Sequence, residues 1–290
     1  MTSQLLHSAM DAVSHVPRRA ICLVRRLGRM RNFLIALCLS VCVSQGLGAI
    51  LTNLDFTELF AGHDGCFVLY DTQTGGYLRY HPKECAERYS PCSTFKIANS
   101  MIALDTGVST GPGFTLKWNG TTYPFASWNR DQNMRSAFSN SVVWYYQEIA
   151  SRIGPVRMSN YVHRLNYGNG DISGGITNFW LESTLQISAD EQVAFLRRLW
   201  TDSLPIGKDA QRTTRGLMIL SRNEDGRILY GKTGTGGDAR ANIARLGWFV
   251  GCVEQGNRKV FFATRITGAP DASGRLARQI TEAILTKLGI

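Results

Sequence analysis

Apolar and polar positions along this chain of 290 residues fall into blocks with two different periods. Residues 64–71 and 77–82 are short apolar-rich runs on either side of Thr74-Gly75-Gly76, the pattern of two strands joined by a tight turn. Apolar positions then recur at helical spacing through "STFKIANSMIALD", predicting a helix that opens near Ser93. Residues 107–132, punctuated by Gly and Pro, read as a loop. Helical patterns follow at 140–152, 155–165, 188–202 and around 208–220. Strand patterns return at 227–232, 245–254 and 259–267, and an amphipathic helix over 273–287 closes the chain. Strands at both ends with helices between predict an α/β protein of the α+β type. Its central sheet is mostly antiparallel, assembled from both ends of the chain and flanked by helices, with an all-helical subdomain inserted. Clefts form at such junctions. No repeat or low-complexity tract interrupts 50–290, so 49–290 is read as one domain.

Composition changes this picture little, but charge and cysteine placement change it more. With 44% hydrophobic and 19% charged residues the chain is an ordinary globular one with a sizeable core. The net charge of +10 invites a nucleic-acid reading, yet half of it lies in residues 1–48, where six arginines face a single aspartate. The rest carries no run of like charges, so a nucleic-acid partner is not expected. Residues 30–49 have a basic start, an apolar stretch at 33–43 and a small-residue exit, the parts of a secretory signal peptide. The apolar stretch is short for a retained span, and no cysteine there has the context of a lipoprotein site. Residues 1–48 are therefore expected to be a signal peptide with an N-terminal extension (Met30 being an alternative start), without a stable membrane anchor and directing export to the periplasm. An oxidising compartment permits disulfides. Of seven cysteines, Cys66, Cys85, Cys92 and Cys252 lie beyond the presequence. A simple hairpin about the 74–76 turn sets Cys66 opposite Cys85 and predicts a bridge between them. Cys92 is either a free thiol or a rival partner for Cys85. His63, His81 and His163 are scattered without metal-ligand spacing, so no metal is expected.

The candidate chemistry begins with a cation in an apolar helix. Lys96 lies one helical turn after Ser93, on the same face, and burying an ammonium is costly. It either reaches solvent or is kept neutral by burial so that it can take the Ser93 proton. Pro91 sits just before the first turn, where free backbone N–H groups favour a developing anion. Two further stretches bear on the choice. "YGKTGTGG", 230–237, offers an ammonium, a hydroxyl and glycines that allow close approach. It is either a carboxylate-holding strand end or a glycine turn, and it lacks the earlier glycine of a phosphate-binding loop. In "SNSVVWYYQEIA", 139–150, Ser141 heads a helical run, where an N-cap is the plain account.

In this order, Ser93-Thr-Phe-Lys96, Ser141-Val-Val143, Tyr167-Gly-Asn169, Phe179-Trp180-Leu-Glu182 and Lys232-Thr-Gly234 resemble the motifs of the class D serine β-lactamases, the oxacillinases. The resemblance spans about 64–290 and implies the serine β-lactamase and penicillin-binding transpeptidase fold. It implies that Ser93 attacks a β-lactam carbonyl, and that the backbone N–H groups of Ser93 and Thr235 hold the resulting oxyanion. It also implies that Lys96 is carbamylated by CO2 or bicarbonate and serves as general base, with the Trp180 indole donating to the carbamate and Val143 keeping the pocket apolar. Ser141 would relay a proton, Lys232, Thr233 and Gly234 would line the carboxylate site, and an arginine of the last helix, Arg278 rather than Arg275, would complete it. Tyr167-Gly-Asn169 would shape the cavity wall. No cofactor beyond CO2 is implied, the partner is a small β-lactam, and the protein is expected as a monomer or homodimer. Rival readings are a penicillin-sensing receptor domain, which is acylated without turnover, and a D,D-peptidase. Against the first stands the lack of a membrane-embedded half ahead of the domain; against the second stands Val143, where that family favours Asn. A third alternative, with Glu182 as the water-activating base, rests on a loose echo of class A enzymes in "ESTLQ".

Overall fold

A computed structural model of the chain describes residues 55–238 and 243–290, and Asp55–Ile290 forms one compact unit. The presequence reading for 1–48 and the start of the domain at 49 lie outside the described residues. After a one-turn helix, α1 (Thr57–Phe60), the chain enters strand β1 (Asp64–Asp71) and turns back as β2 (Gly76–Tyr80). Helices α2 (Pro82–Ala86), α3 (Lys96–Asp105), α4 (Met134–Ser139), α5 (Val143–Ile153), α6 (Pro155–Arg164), α7 (Ala189–Trp200) and α8 (Lys208–Leu217) follow, with a two-stranded ribbon β3 (Thr115–Leu116) and β4 (Gln132–Asn133) among them. The chain then returns to the sheet as β5 (Ile219–Arg222), β6 (Ile228–Asp238), β7 (Ile243–Gln255) and β8 (Arg258–Thr267), with a short β9 (Asp271–Ala272) before the final helix α9 (Gly274–Lys287).

The main sheet has the order β2-β1-β8-β7-β6-β5, antiparallel throughout, and β9 adds to β7 in parallel. The expected mostly antiparallel sheet, built from both ends of the chain and carrying a helical insertion, is the observed architecture. Its inner strands read as continuous apolar runs rather than alternating ones, and burial on both faces is the reason. Cys66, Phe67, Val68 and Leu69 of β1 are all buried, as are Val260 to Ala263 of β8. Helix α9 packs on β6, β7 and β8, and α7 packs on β1, β7 and β8. Helix α7 starts where its sequence says it should, since Ser188 and Glu191 form a capping box.

The Cys66–Cys85 bridge is not formed: both are buried free thiols, as are Cys92 and Cys252. The hairpin expectation failed at its register. Phe67 pairs with Tyr80 and Asp71 with Gly76, so β2 ends at Tyr80. His81 turns into the left-handed region and Pro82 starts a helix, a position where its missing N–H costs nothing. Cys85 therefore sits on α2 rather than on a strand; its thiol still meets that of Cys66 and lies 3.4 Å from the carbonyls of Phe67 and Tyr80.

Candidate active site

The nucleophile candidate lies in a one-turn 3-10 helix, Cys92–Phe95, that leads directly into α3. Thr94 ties the turn down, its hydroxyl and amide both donating to the Pro91 carbonyl at 2.7 and 3.1 Å. Ser93 is half-buried, whereas Lys96, the first residue of α3, has no exposed surface. The Lys96 Nζ donates to the Ser93 Oγ at 2.7 Å. Among the described residues no carboxylate pairs with Lys96, and the nearest ring, that of Tyr146, lies 5.5 Å from its Nζ. Burial, helped by the charge of Lys232, pulls the Lys96 ammonium well below its ordinary value. The solvent-reaching alternative for this lysine is excluded. The neutral amine it favours can accept the proton it now shares.

A second serine–lysine pair faces the first. The glycine-rich "YGKTGTGG" is not a turn but the interior of β6, in register with β7 from Ile228↔Glu254 to Gly236↔Leu246. Alternation along the strand sends Lys232 and Gly234 toward the nucleophile turn and Thr233 and Thr235 toward α9. A Cβ on Gly234 would lie 2.9 Å from the Pro91 carbonyl oxygen and 3.2 Å from a Thr94 methyl, so only glycine lets the strand approach this closely. Lys232 is buried, its Nζ donates to the Ser141 Oγ at 3.1 Å and to its neighbour Thr233's carbonyl at 2.9 Å, and burial brings it down to about 7. Ser141 is not the N-cap of α5. Val142 occupies that position without a side-chain bond, and Ser141 itself is left-handed, with φ of 56°. Its hydroxyl is thereby aimed at Lys232 instead of being used on the helix.

Trp180 lies in the loop before α7. It is fully buried, stacks on Phe95 at 5.7 Å between centroids, and its indole N–H has no hydrogen-bond partner. Tyr167 is edge-on to Phe95 at 5.5 Å, and Val143 is the half-buried first residue of α5. The start of α9 abuts the strand, where the Gly274 N–H donates to the Thr235 Oγ1 at 2.9 Å. Arg278, one turn further along α9, has its Nε donating to Glu282 at 2.8 Å and its guanidinium 5.8 Å from the ring of Phe249, the β7 partner of Thr233. Arg275, one residue past Gly274, is exposed. Glu182, the alternative base, has its carboxylate engaged by the Gly237 N–H at the rim of β6. Sequence reasoning passed over Ser90, whose hydroxyl bonds the backbone of the Trp180 loop on both sides of Leu181. Only its place beside Pro91, just ahead of the nucleophile, could have marked it. The site thus gathers two hydroxyl–amine pairs, both amines biased toward neutrality by burial, at the edge of a strand open to a ligand: the equipment for covalent acyl transfer.

Comparison with known proteins agrees with that equipment. Residues 65–286 match the penicillin binding protein transpeptidase domain family. A probable β-lactamase, YbxI of Bacillus subtilis, is 39% identical over 240 residues, covering 83% of this chain and 86% of that protein. The crystal structure of a class D β-lactamase from Bacillus subtilis superposes with a TM-score of 0.77 at 38% identity, covering 82% of this chain and 97% of the other. The regulatory protein BlaR1 of Bacillus licheniformis is 35% identical over 247 residues, 82% of this chain but only 40% of that longer protein.

Proposed function

The chain belongs to the class D β-lactamases, serine hydrolases of the penicillin-binding transpeptidase fold, and from that premise we propose that it hydrolyses β-lactam antibiotics through an acyl-enzyme on Ser93. The observation that carries this reading is the Lys96 Nζ, fully buried without a counter-charge and 2.7 Å from the Ser93 Oγ. In acylation the Ser93 oxygen bonds to the lactam carbonyl carbon, its proton leaves toward Lys96, and the ring C–N bond breaks. The Ser141 hydroxyl, backed by Lys232, delivers the proton that the leaving nitrogen needs. In deacylation a water oxygen adds to the ester carbonyl, the C–O bond to Ser93 breaks, and the serine recovers its proton. The net change is one water added across one amide bond. An oxyanion held by the N–H groups of Ser93 and Thr235 would gain about 3–4 kcal/mol per donor.

The same residues fit a carbamate on Lys96. A buried neutral amine is the form that adds to CO2, and the unpartnered N–H of Trp180, whose ring stacks on Phe95, the residue before Lys96, is a donor in want of an acceptor. When formed, that group supplies an anionic general base for activating water. Lys232 and Thr233 would meet the substrate carboxylate, with Arg278 as the arginine of α9, one helical turn past Gly274, which packs against Thr233. The basic and apolar segment at 30–49 supports export, and the reaction is assigned to the periplasm.

The likeness to BlaR1 supports a second reading, a receptor that is acylated once and not turned over. Hydrolysis of a chromogenic cephalosporin by purified protein, with and without added bicarbonate, separates the two. Sustained turnover that rises with bicarbonate is the expected result, and Lys96→Ala removes it. A single stoichiometric burst, with or without bicarbonate, sinks the hydrolase in favour of the receptor.

A further inference from the structure

Ser90 stands three residues before the nucleophile, and its hydroxyl is fully used. It donates to the Trp180 carbonyl at 2.9 Å, accepts from the Glu182 amide at 2.8 Å, and meets the Cys92 thiol at 3.8 Å. One donor and two acceptor positions are all that a serine hydroxyl offers. The Ser90 carbonyl, in turn, accepts from the Trp248 indole N–H on β7 at 2.9 Å. One residue thus joins the nucleophile turn, the Trp180 loop and the sheet.

Glu182 fastens the other side of that loop. Its carboxylate accepts from the Gly237 N–H, at the point where the β6–β7 register shifts. A Cβ on Gly236 would fall 2.7 Å from the Glu182 carboxyl carbon, so the missing side chain is the room in which the glutamate lies. Glu182 and Cys92 are both left-handed, with φ of 51° and 48°. Neither is a residue that takes this conformation without cost, so the surrounding bonds must hold it.

We infer that Ser90 and Glu182 are positioning residues: they clamp the Trp180 loop between the Ser93 turn and the rim of β6, and so set the direction of the otherwise unpartnered Trp180 indole N–H. The inference rests on the hydrolase reading above and adds to it the parts that hold its deacylation machinery in line. A displaced hydrogen-bond donor leaves substrate entry alone but slows the step that depends on it.

The test compares Ser90→Ala, Glu182→Ala and Glu182→Gln in the full chain, reading steady-state kcat and KM, the bicarbonate concentration giving half-maximal rate, and acylated Ser93 by mass spectrometry. Ser90→Ala and Glu182→Ala are expected to lower kcat by about 10- to 100-fold, the scale of a small misplacement of a working group. Their KM should not rise, the acyl-enzyme should accumulate, and more bicarbonate should be required. Glu182→Gln keeps an acceptor for the Gly237 N–H and should recover most of the rate. Unchanged deacylation and bicarbonate response in both alanine variants overturn the inference, as does a loss that Glu182→Gln fails to recover. Should buried Ser90→Ala fail to fold, the pair at exposed Glu182 decides alone. A parent protein indifferent to bicarbonate would instead overturn the carbamate reading, while the deacylation rates of the variants still judge the clamp.

Discussion

Two regions of this molecule bury a cation, and they do it in opposite ways. On β8, Arg265 is only 2% exposed, and although its Nε has no partner its charge is answered by the Glu84 carbonyl at 3.2 Å, the Tyr89 ring at 3.9 Å and the Glu87 carboxylate at 3.7 Å. At the head of α3, Lys96 is fully buried, the Ser93 hydroxyl is the one hydrogen-bond partner of its amine among the described residues, and the second lysine nearby, Lys232, repels it. An arginine cannot lose its proton in a protein, so its pocket has to answer the charge. A lysine can, so leaving its pocket unanswered is a way to obtain a neutral amine. The first region is built to keep a charge and the second to shed one.

Swapping both cations for methionine breaks the comparison most sharply. Lys96→Met should abolish turnover, a loss of about a thousandfold or more for a group that acts as one unit with its nucleophile, yet thermal unfolding should show equal or higher stability. A marked fall in melting temperature would mean that the lysine is answered after all. Arg265→Met should do the reverse, lowering stability by about 1–3 kcal/mol as the Glu84 carbonyl loses its donor, with kcat little changed by a residue outside the cleft. The smallest effect is a matter of pH. Folding takes Lys232 from an ordinary value of 10.5 to about 7 by burial. Between those pH values the unfolded chain binds more protons, so stability rises with pH, by at most about 1.4 kcal/mol per unit from this group. Melting curves of Lys232→Met should rise less steeply between pH 7 and 9 than those of the parent. Parallel curves would show that Lys232 keeps its proton in the fold.

What the sequence disclosed about these regions followed distance along the chain. The Ser93–Lys96 pair is local, and one helical turn of spacing was enough to propose it. The Ser141–Lys232 contact joins residues 91 apart, and only the order of motifs, not any periodicity, pointed to both. The strands over 64–71, 245–254 and 259–267 announced themselves because apolar residues fill both faces. The glycines of 230–237 hid the rest of β6, since a strand that owes its stability to pairing with β7 shows little of it in side chains. Cys66 and Cys85 do meet, as free thiols, but not by the route proposed: one left-handed residue, His81, ends β2 before the second cysteine, which reaches the first from α2. Arg275 and Arg278 could not be told apart by spacing, because which face of α9 meets the sheet is a tertiary fact: Arg278 lies 5.8 Å from the ring of Phe249, the partner of Thr233, and Arg275 is exposed. Ser90 was invisible for a plainer reason: its partners lie 90 and 92 residues away and are backbone atoms, which carry no sequence signature.

The pairing of β1 with β8 has a consequence in time. Asp64 and Thr267 are 203 residues apart, yet they sit opposite each other in the sheet. A chain made from its N-terminus can pair β1 with β2 at once but cannot give it its other neighbour, β8, until nearly the whole chain has been added, and closing so long a loop slows assembly. Until then the apolar faces of β1 have no lasting cover, and the turn bearing Ser93 has no β6 to lie against. The newborn chain is therefore both inert and open to proteases for almost the whole of its synthesis. A chain cut off before β8 would be expected to stay so permanently.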